Sequence, residues 1–411
     1  MARPHPAPHP GRPAEVLAAF ARLGLTSFGG PVAHLGYFRA EFVTRRRWLD
    51  DAAYADLVAL CQFLPGPASS QVGFALGLMR AGWAGALAAF VGFTAPSAVA
   101  LVVFALAAGP LAQASWVGAG ALAGLKIVAV AIVAQAVWGM ARSLCPDRAR
   151  ATIALAAVAV LAFVPGALGM PAAIAIGALA GLMLGRGGTG GAPPPAGPVP
   201  GDMAAPPVSR RVALLCLGLF AGLMLALPLL APLGQGVAVA DRFFRAGALV
   251  FGGGHVVLPL LETGVVRPGW VTPEVFLAGY GAAQAVPGPL FTFAAYLGAL
   301  LDPGPGGIAG AVLALGAVFA PGFLVLVGVL PFWHGLRARA GARAALRGAN
   351  AAVVGILGTA LYTPVFTGAV TDLRSFALAL ACFVLLTVWK APPWAVVILA
   401  ALGGIGLSMP G

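Results

Sequence analysis

The sequence predicts an all-α polytopic membrane protein built as an inverted internal repeat with broken, re-entrant helices. Three observations carry that prediction. Of the 411 residues, 60% are apolar and only 9% are charged, against about 25% charged in an average soluble domain. Mean hydropathy is +0.96, so the apolar area faces lipid rather than a single soluble core. Motifs of the first half recur in order in the second, and the apolar runs that carry them are cut by glycine and proline. Disorder, coiled coil and collagen fail on composition, because the 58 Gly and 35 Pro show no triplet period. A soluble enzyme is all but excluded.

The net charge of +12 and a pI near 10.7 would suggest nucleic acid in a soluble protein. Here the basic residues, all arginine except Lys126 and Lys390, mostly fall in short gaps between apolar runs. That is where the positive-inside rule places them, and no nucleic acid is needed. Cys61, Cys145, Cys216 and Cys382 are scattered without metal-ligand spacing, so neither a metal, a cofactor nor a disulfide framework is expected. Residues 1–13 form a Pro-rich tail carrying His5 and His9, with no signal-peptide pattern after it. Residues 186–211 are a Gly/Pro linker with no helical period. The linker separates a first membrane repeat, 14–185, from a second, 212–411.

The repeats align motif by motif. Phe28-Gly29-Gly30-Pro31 with His34 recurs as Phe251-Gly252-Gly253-Gly254-His255, Phe251 lying 223 residues after Phe28. Trp48 recurs as Trp270, and Gln62-x-x-Pro65-Gly66-Pro67 as Gln284-x-x-Pro287-Gly288-Pro289, both 222 residues on. Thr94-Ala95-Pro96-Ser97 answers to Phe319-Ala320-Pro321-Gly322, and Gly124-Leu125-Lys126 to Gly348-Ala349-Asn350, at 225 and 224. Five matches in order, drifting by three residues, mark an internal duplication.

Continuous spans are predicted near 82–109, 115–140, 150–165 and 167–185, then 212–232, 305–332, 346–366, 373–389 and 391–409. The runs 14–35, 53–79, 240–262 and 274–301 differ in kind, being cut by Gly-Gly-Pro, Pro-Gly-Pro, Gly-Gly-Gly-His and Pro-Gly-Pro. Proline removes a helix donor and clashes with the preceding turn, so these runs are broken helices. Irregular backbone is tolerated at membrane depth only where protein buries it or a cavity adjoins it. If the broken runs are re-entrant, Arg39, Arg45, Arg46, Arg47 and Arg80 share a side with Arg142, Arg148, Arg150, Arg186, Arg210 and Arg211. The single crossing 212–232 then inverts the second repeat, and Arg337, Arg339, Arg343 and Arg347 return to that side. If the broken runs span outright, the repeats stay inverted but Arg45–Arg47 lie outside.

Chemistry is expected at the breaks. After each Pro-Gly-Pro a half-helix starts, at Ala68-Ser69-Ser70 and at Leu290-Phe291-Thr292. A helix N-terminus offers unpaired N–H groups and about half a positive charge, which suits an anion. Ser69, Ser70 and Thr292 add hydroxyls, and Gln62 and Gln284 add amides. The plainer alternative is that the triplets only kink helices for packing. No acid sits at the middle of a predicted span, which argues against a cation site or an acidic proton relay. Lys126 lies inside a span, where it either snorkels or balances an anion, and its counterpart is the polar Asn350. His34 and His255, just after the glycine breaks, read either as hydrogen-bonded structural residues or as proton carriers. Arg22 and Arg245 each precede a break by six residues and either face an anion path or mark a membrane boundary. A homodimer is left open.

The runs LTSFGGPVAHLGYFRAEFV and RRRWLDDAAYADLVALCQFLPGPASSQVGFALG resemble the chromate ion transporter (CHR) family. FRAGALVFGGGHVVLPLL and GYGAAQAVPGPLFTFAAYLGA resemble the matching domain of its long, two-domain members. The resemblance implies chromate export across a bacterial inner membrane, driven by the chemiosmotic gradient and conferring chromate resistance. Sulfate, an isosteric tetrahedral dianion, would be competitor or counter-substrate. Sulfate or other oxyanion uptake stands as the alternative in the same class. An intramembrane enzyme lacks any nucleophile–base or metal set at motif spacing.

The topology is directly testable. Cysteines introduced as Arg46→Cys and Arg343→Cys should both react with an impermeant maleimide from the cytoplasmic side. Labelling of either from the periplasm alone would overturn the re-entrant arrangement.

Overall fold

The computed structural model describes residues 11–164, 168–186 and 208–409. Most of the N-terminal tail and of the Gly/Pro linker, residues 1–10 and 187–207, therefore lies outside the described residues. Among the described residues every regular element is helical. The first half contains α1 (Pro13–Thr26), α2 (Gly30–Phe38), α3 (Asp51–Phe63), α4 (Ala68–Ala114), α5 (Trp116–Leu144), α6 (Arg148–Phe163) and α7 (Gly169–Arg186). The second contains α8 (Arg210–Leu230), α9 (Gln235–Ala248), α10 (Val257–Leu261), α11 (Pro273–Ala283), α12 (Phe293–Ala299), α13 (Gly307–Val329) and α14 (Trp333–Ala338). It ends with α15 (Ala340–Ala360), α16 (Thr367–Ala369), α17 (Leu373–Thr387) and α18 (Pro393–Leu407).

Helices stop where the sequence predicts breaks. α1 and α2 are separated at Ser27-Phe28-Gly29, α3 and α4 at Pro65-Gly66-Pro67, α9 and α10 around Gly252-Gly253, and α11 and α12 around Pro287-Gly288-Pro289. α4 is two helices, because Ala81 and Gly82 leave helical geometry and Gly82 takes φ +64°. The chain folds back there, with Gly77 against the backbone of Gly85. The second half repeats this turn between α12 and α13, where Gly298 meets Gly310.

Each pair of broken helices is closed at one end. In the first half Arg80 and Arg46 both reach Glu15, at 3.2 and 3.6 Å, and Arg45 and Arg46 hold Glu41 at 2.8 and 2.6 Å. Arg39 pairs with Asp51 at 2.7 Å, and the Arg46 and Arg80 guanidiniums lie over the Trp48 ring. Residues 15, 46, 51 and 80 thus gather at one end, so both hairpins return to where they began. In the second half Gln235 Nε2 donates to the Pro303 carbonyl at 2.9 Å, and the Asp302 N–H to the Trp270 carbonyl at 3.1 Å. That closure repeats the first with fewer charges.

The halves are intertwined. The Gly66 N–H donates to the Val250 carbonyl at 2.8 Å, and the Gly288 N–H to the Ser27 carbonyl at 2.9 Å. Each Pro-Gly-Pro glycine, at φ +116° and +103°, thereby ties itself to the glycine break of the other half. Gly66 also packs on Gly322 of α13, and Gly288 on Ser97 of α4. Further out, Gly124 of α5 lies on Ala400 of α18, and Gly348 of α15 on Gly177 and Gly181 of α7. Contacts exchanged in this way, i with j and j with i, have the isologous form of a two-fold relation.

Three expectations change. The spans 150–165, 167–185, 373–389 and 391–409 appear as α6, α7, α17 and α18, of 16, 18, 15 and 15 residues. Asp147 and the capping box of Asp372 set two of their starts, and all four fall short of the roughly 20 residues of a full crossing. Among the described residues five helical stretches are long and apolar enough to cross a membrane, and α4 is one of them although it folds back. α15 begins at Ala340 rather than 346. α9 begins at Gln235 rather than 240, which puts Asp241 in mid-helix and buried. That corrects the expectation that no acid sits in the middle of a membrane segment. Arg245, one turn on, neutralises it at 2.7 Å.

The glycine seams generate a stability prediction. A β-carbon on Gly298 would collide with the Gly310 carbonyl, whereas one on Gly218 of α8 meets nothing within 4 Å. Gly298→Val should destabilise by about 1–3 kcal/mol or more, as overpacking does. Gly218→Val should leave the thermal midpoint of the detergent-purified protein nearly unchanged. Equal midpoints for the two variants would dismiss the seam as a packing constraint.

Candidate functional site

A cavity of about 310 Å³ opens where the two halves cross. Its wall takes Gly29, Gly30 and Pro31 from the first glycine break and Gln284, Gly288 and Leu290 from the second Pro-Gly-Pro region. His255 joins them, with Ile132 and Gln135 of α5 and Leu386, Lys390 and Pro393 around the α17–α18 turn. Neither half builds this cavity alone.

Its chemistry follows from the local backbone. Gly29 takes φ +100° and caps α2, so the α2 N-terminus opens on the cavity with Pro31 in its first turn, where a missing N–H costs nothing. Leu290 begins the short helical turn that leads into α12. Two helix starts therefore bring partial positive charge to one space. The Gln284 amide nitrogen is buried without a hydrogen-bond partner, so it is a donor available to a ligand. His255 Nδ1 lies 2.7 Å from Tyr280 Oη. When Tyr280 donates to it, Nε2–H is left as a donor for the cavity. Gln135 spends one donor on the Leu386 carbonyl, at 3.2 Å, which fixes the α17–α18 turn against α5. Lys390 lies in that turn at φ +53° and is the one charged side chain of the wall among the described residues. Donors, helix starts and an ammonium together suit a small anion.

The structure gathers five of the sequence-predicted residues in this wall: Gly29, Gly30, His255, Gln284 and Gly288. The others lie elsewhere. Gln62 is exposed, although its counterpart Gln284 is in the wall. Gly66 packs on Gly322, with Pro67 beside it, and the Pro65 carbonyl accepts from Gln71 at 2.9 Å. Ser69 and Ser70 are buried, and Ser69 Oγ stands 3.4 Å from Nδ1 of the buried His34. Thr292 turns its hydroxyl onto the Pro289 carbonyl at 2.7 Å, so its own turn has already claimed the donor. Pro287 flanks the wall without forming part of it. Gly254 approaches Pro31, Gly253 approaches Met140, and Asn350 sits beside Gly252. Lys126 is half-buried on α5 outside the cavity. Arg22 is exposed on α1. Sequence reasoning missed Gln135 and Lys390. Gln135 carries no repeat signature, and Lys390 falls in a short loop that reads as a topogenic charge. The usable signal was rarity, since Lys390 is one of two lysines in the chain.

The family model described as "Chromate transporter" matches the chain twice, over residues 14–182 and 237–405. A probable chromate transport protein of Synechococcus elongatus is 27% identical, over 94% of this chain and 93% of its own length. A chromate transport protein of Pseudomonas aeruginosa is 30% identical over 84% and 79%, and one of Cupriavidus metallidurans 28% over 92% and 88%. No solved structure matches.

The wall predicts a charge requirement. An ammonium about 4 Å from an anion at an effective dielectric of 20 contributes up to about 4 kcal/mol before desolvation. Lys390→Gln should therefore weaken binding of labelled chromate to the purified protein about tenfold or more. Lys390→Arg should recover part of it, and unchanged binding in Lys390→Gln would remove Lys390 from the site.

Proposed function

The chain belongs to the chromate transporter family, and from that premise we propose that it is a secondary transporter that exports chromate across a bacterial inner membrane and so confers chromate resistance. The observation that carries the proposal is the cavity between the halves, where Gln284, His255, Lys390 and two helix starts meet with no carboxylate in the wall among the described residues. A dianion seated there would bind through donors and one ammonium. Sulfate has the same shape and charge and would compete.

Alternating access needs the two halves to be inverted, and contacts across the bundle support that arrangement. Trp333 Nε1, just past α13, donates to Asp56 Oδ1 of α3 at 3.1 Å, so the end of α13 lies on the side of the Glu15–Arg46–Arg80 closure. Residues 302–303, which close the second hairpin pair, directly precede the start of α13. Its 23 residues make about 35 Å at 1.5 Å each. The two closures therefore fall at opposite ends of α13. The arginine-rich closure is cytoplasmic by the positive-inside rule, and the Gln235–Pro303 closure periplasmic. Rocking one half against the other about the crossed glycines would open the cavity to each side in turn. The membrane potential, negative inside, favours expulsion of a dianion by about 2.3 kcal/mol per charge per 100 mV.

Everted membrane vesicles test this reading. Energised vesicles containing the protein should accumulate labelled chromate, and excess sulfate should reduce the rate. Accumulation of sulfate by right-side-out vesicles without chromate uptake by everted ones would replace export with oxyanion import.

A further inference from the structure

The first half holds a second polar compartment that the anion cavity does not use. Ser27, His34, Ser69, Ser70, Thr94 and Ser97 are all buried there. Their adjacency is explicit. His34 Nδ1 faces Ser69 Oγ at 3.4 Å, its ring stands edge-on to Phe93 with centroids 5.2 Å apart, and Ser97 Oγ donates to the Thr94 carbonyl at 3.1 Å. A purely structural polar cluster satisfies its atoms. In this one Ser27 Oγ, Ser70 Oγ and Thr94 Oγ1 have no hydrogen-bond partner.

The fold does not require the compartment. At the motif offsets the second half puts Val250 for Ser27, Phe291 for Ser69, Phe319 for Thr94 and Gly322 for Ser97. It keeps only Thr292 for Ser70, with its hydroxyl satisfied. His255, the partner of His34 by sequence, turns instead to Tyr280 and the anion cavity. The two histidines therefore have different work to do.

Resting on the reading of the protein as a secondary anion transporter, we propose that His34 binds the proton coupled to anion occupancy. The imidazole takes H⁺ from water on one nitrogen to become imidazolium and gives it back to water on release. Two links join it to the anion. His34 lies four residues into α2 from Gly30, about 6 Å along the axis, and Gly30 lines the cavity. The Ser27 carbonyl, bordering the compartment, accepts from the Gly288 N–H, and Gly288 also lines the cavity. Imidazolium and dianion attract at that range, so each raises the affinity for the other. The loaded state then carries one negative charge less than the anion alone and is still expelled by the potential.

Most charged and titratable groups on elements near α2 are engaged elsewhere, His255 of the turn against Pro31 being paired with Tyr280. Glu15, Glu41, Arg45, Arg46 and Arg80 form the closure network, and Arg39 pairs with Asp51. Tyr54 donates to the Leu35 carbonyl, Asp56 accepts from Trp333, Cys61 is buried in α3, and Arg22 is exposed. The contacts of the imidazole are to Ser69, Phe93 and Ser27.

The test is proton uptake on anion binding by the full-length purified protein in weakly buffered detergent solution, read with a pH dye and corrected against protein-free anion. Sulfate, which does not titrate near neutral pH, and chromate are the probes. The wild type should take up protons as anion binds, and its affinity should fall several-fold from pH 6 to pH 8. His34→Gln should still bind anion, without proton uptake and with a flat pH profile. Ser69→Ala, which keeps the imidazole and removes its Nδ1 neighbour, should take up protons with a shifted pH midpoint. Anion binding by the wild type without proton uptake would overturn the proposal. So would wild-type uptake in His34→Gln, or, should His34→Gln not fold, an unshifted midpoint in Ser69→Ala. A wild type that binds neither probe would instead overturn the transporter reading.

Discussion

The structure depends on two hydrogen bonds, from Gly66 to Val250 and from Gly288 to Ser27. Inside a bilayer no water can satisfy a broken helix, so every interrupted backbone must find its partner in protein. Here each Pro-Gly-Pro finds one in the glycine break of the opposite half. The glycines are dictated by that exchange. Their φ angles are left-handed, and a side chain at either would strike Gly322 or Ser97 across the seam. The irregular backbone and the cavity between the halves thus share one place.

Much of this was legible because backbone geometry writes itself into sequence. Gly29-Gly30-Pro31, Pro65-Gly66-Pro67 and their repeats announce where helices stop, and the observed breaks fall there. The side-chain chemistry was less legible. Duplication suggested that Gln62 and Gln284 act alike, yet one is exposed and the other lines the cavity. Ser70 and Thr292 follow equivalent triplets, but Thr292 bonds its own turn while Ser70 stays unpartnered. Symmetry of the chain fixes position, whereas function depends on neighbours that the repeats no longer share. Lys390 shows the other limit, since a turn 100 residues downstream of Gly288 reaches its wall only through the packing of α17 and α18 on α5.

The two halves thus share a skeleton and divide the labour. The first supplies a charged closure, a hydroxyl-rich compartment and one helix start of the cavity wall, and the second supplies the wall's imidazole, its ammonium and the unpartnered amide of Gln284. Even the buried ion pair Asp241–Arg245 is one-sided, because the first half keeps Arg22 and has no acid one turn before it. Duplication followed by such divergence lets one cavity face a symmetric path with an asymmetric set of donors.

The exchanged packing of the outer helices has a consequence for biogenesis. α5 rests on α18, so Gly124 finds its seat on Ala400 only after the chain through α18 has been made. At the usual synthesis rate of about 5–20 residues per second, the first half waits on the order of tens of seconds in the membrane with that flank open to lipid. α7 waits similarly for α15, though for less time. Neither half can mature as a domain during translation. The seam between α5 and α18 therefore closes only when α18 arrives.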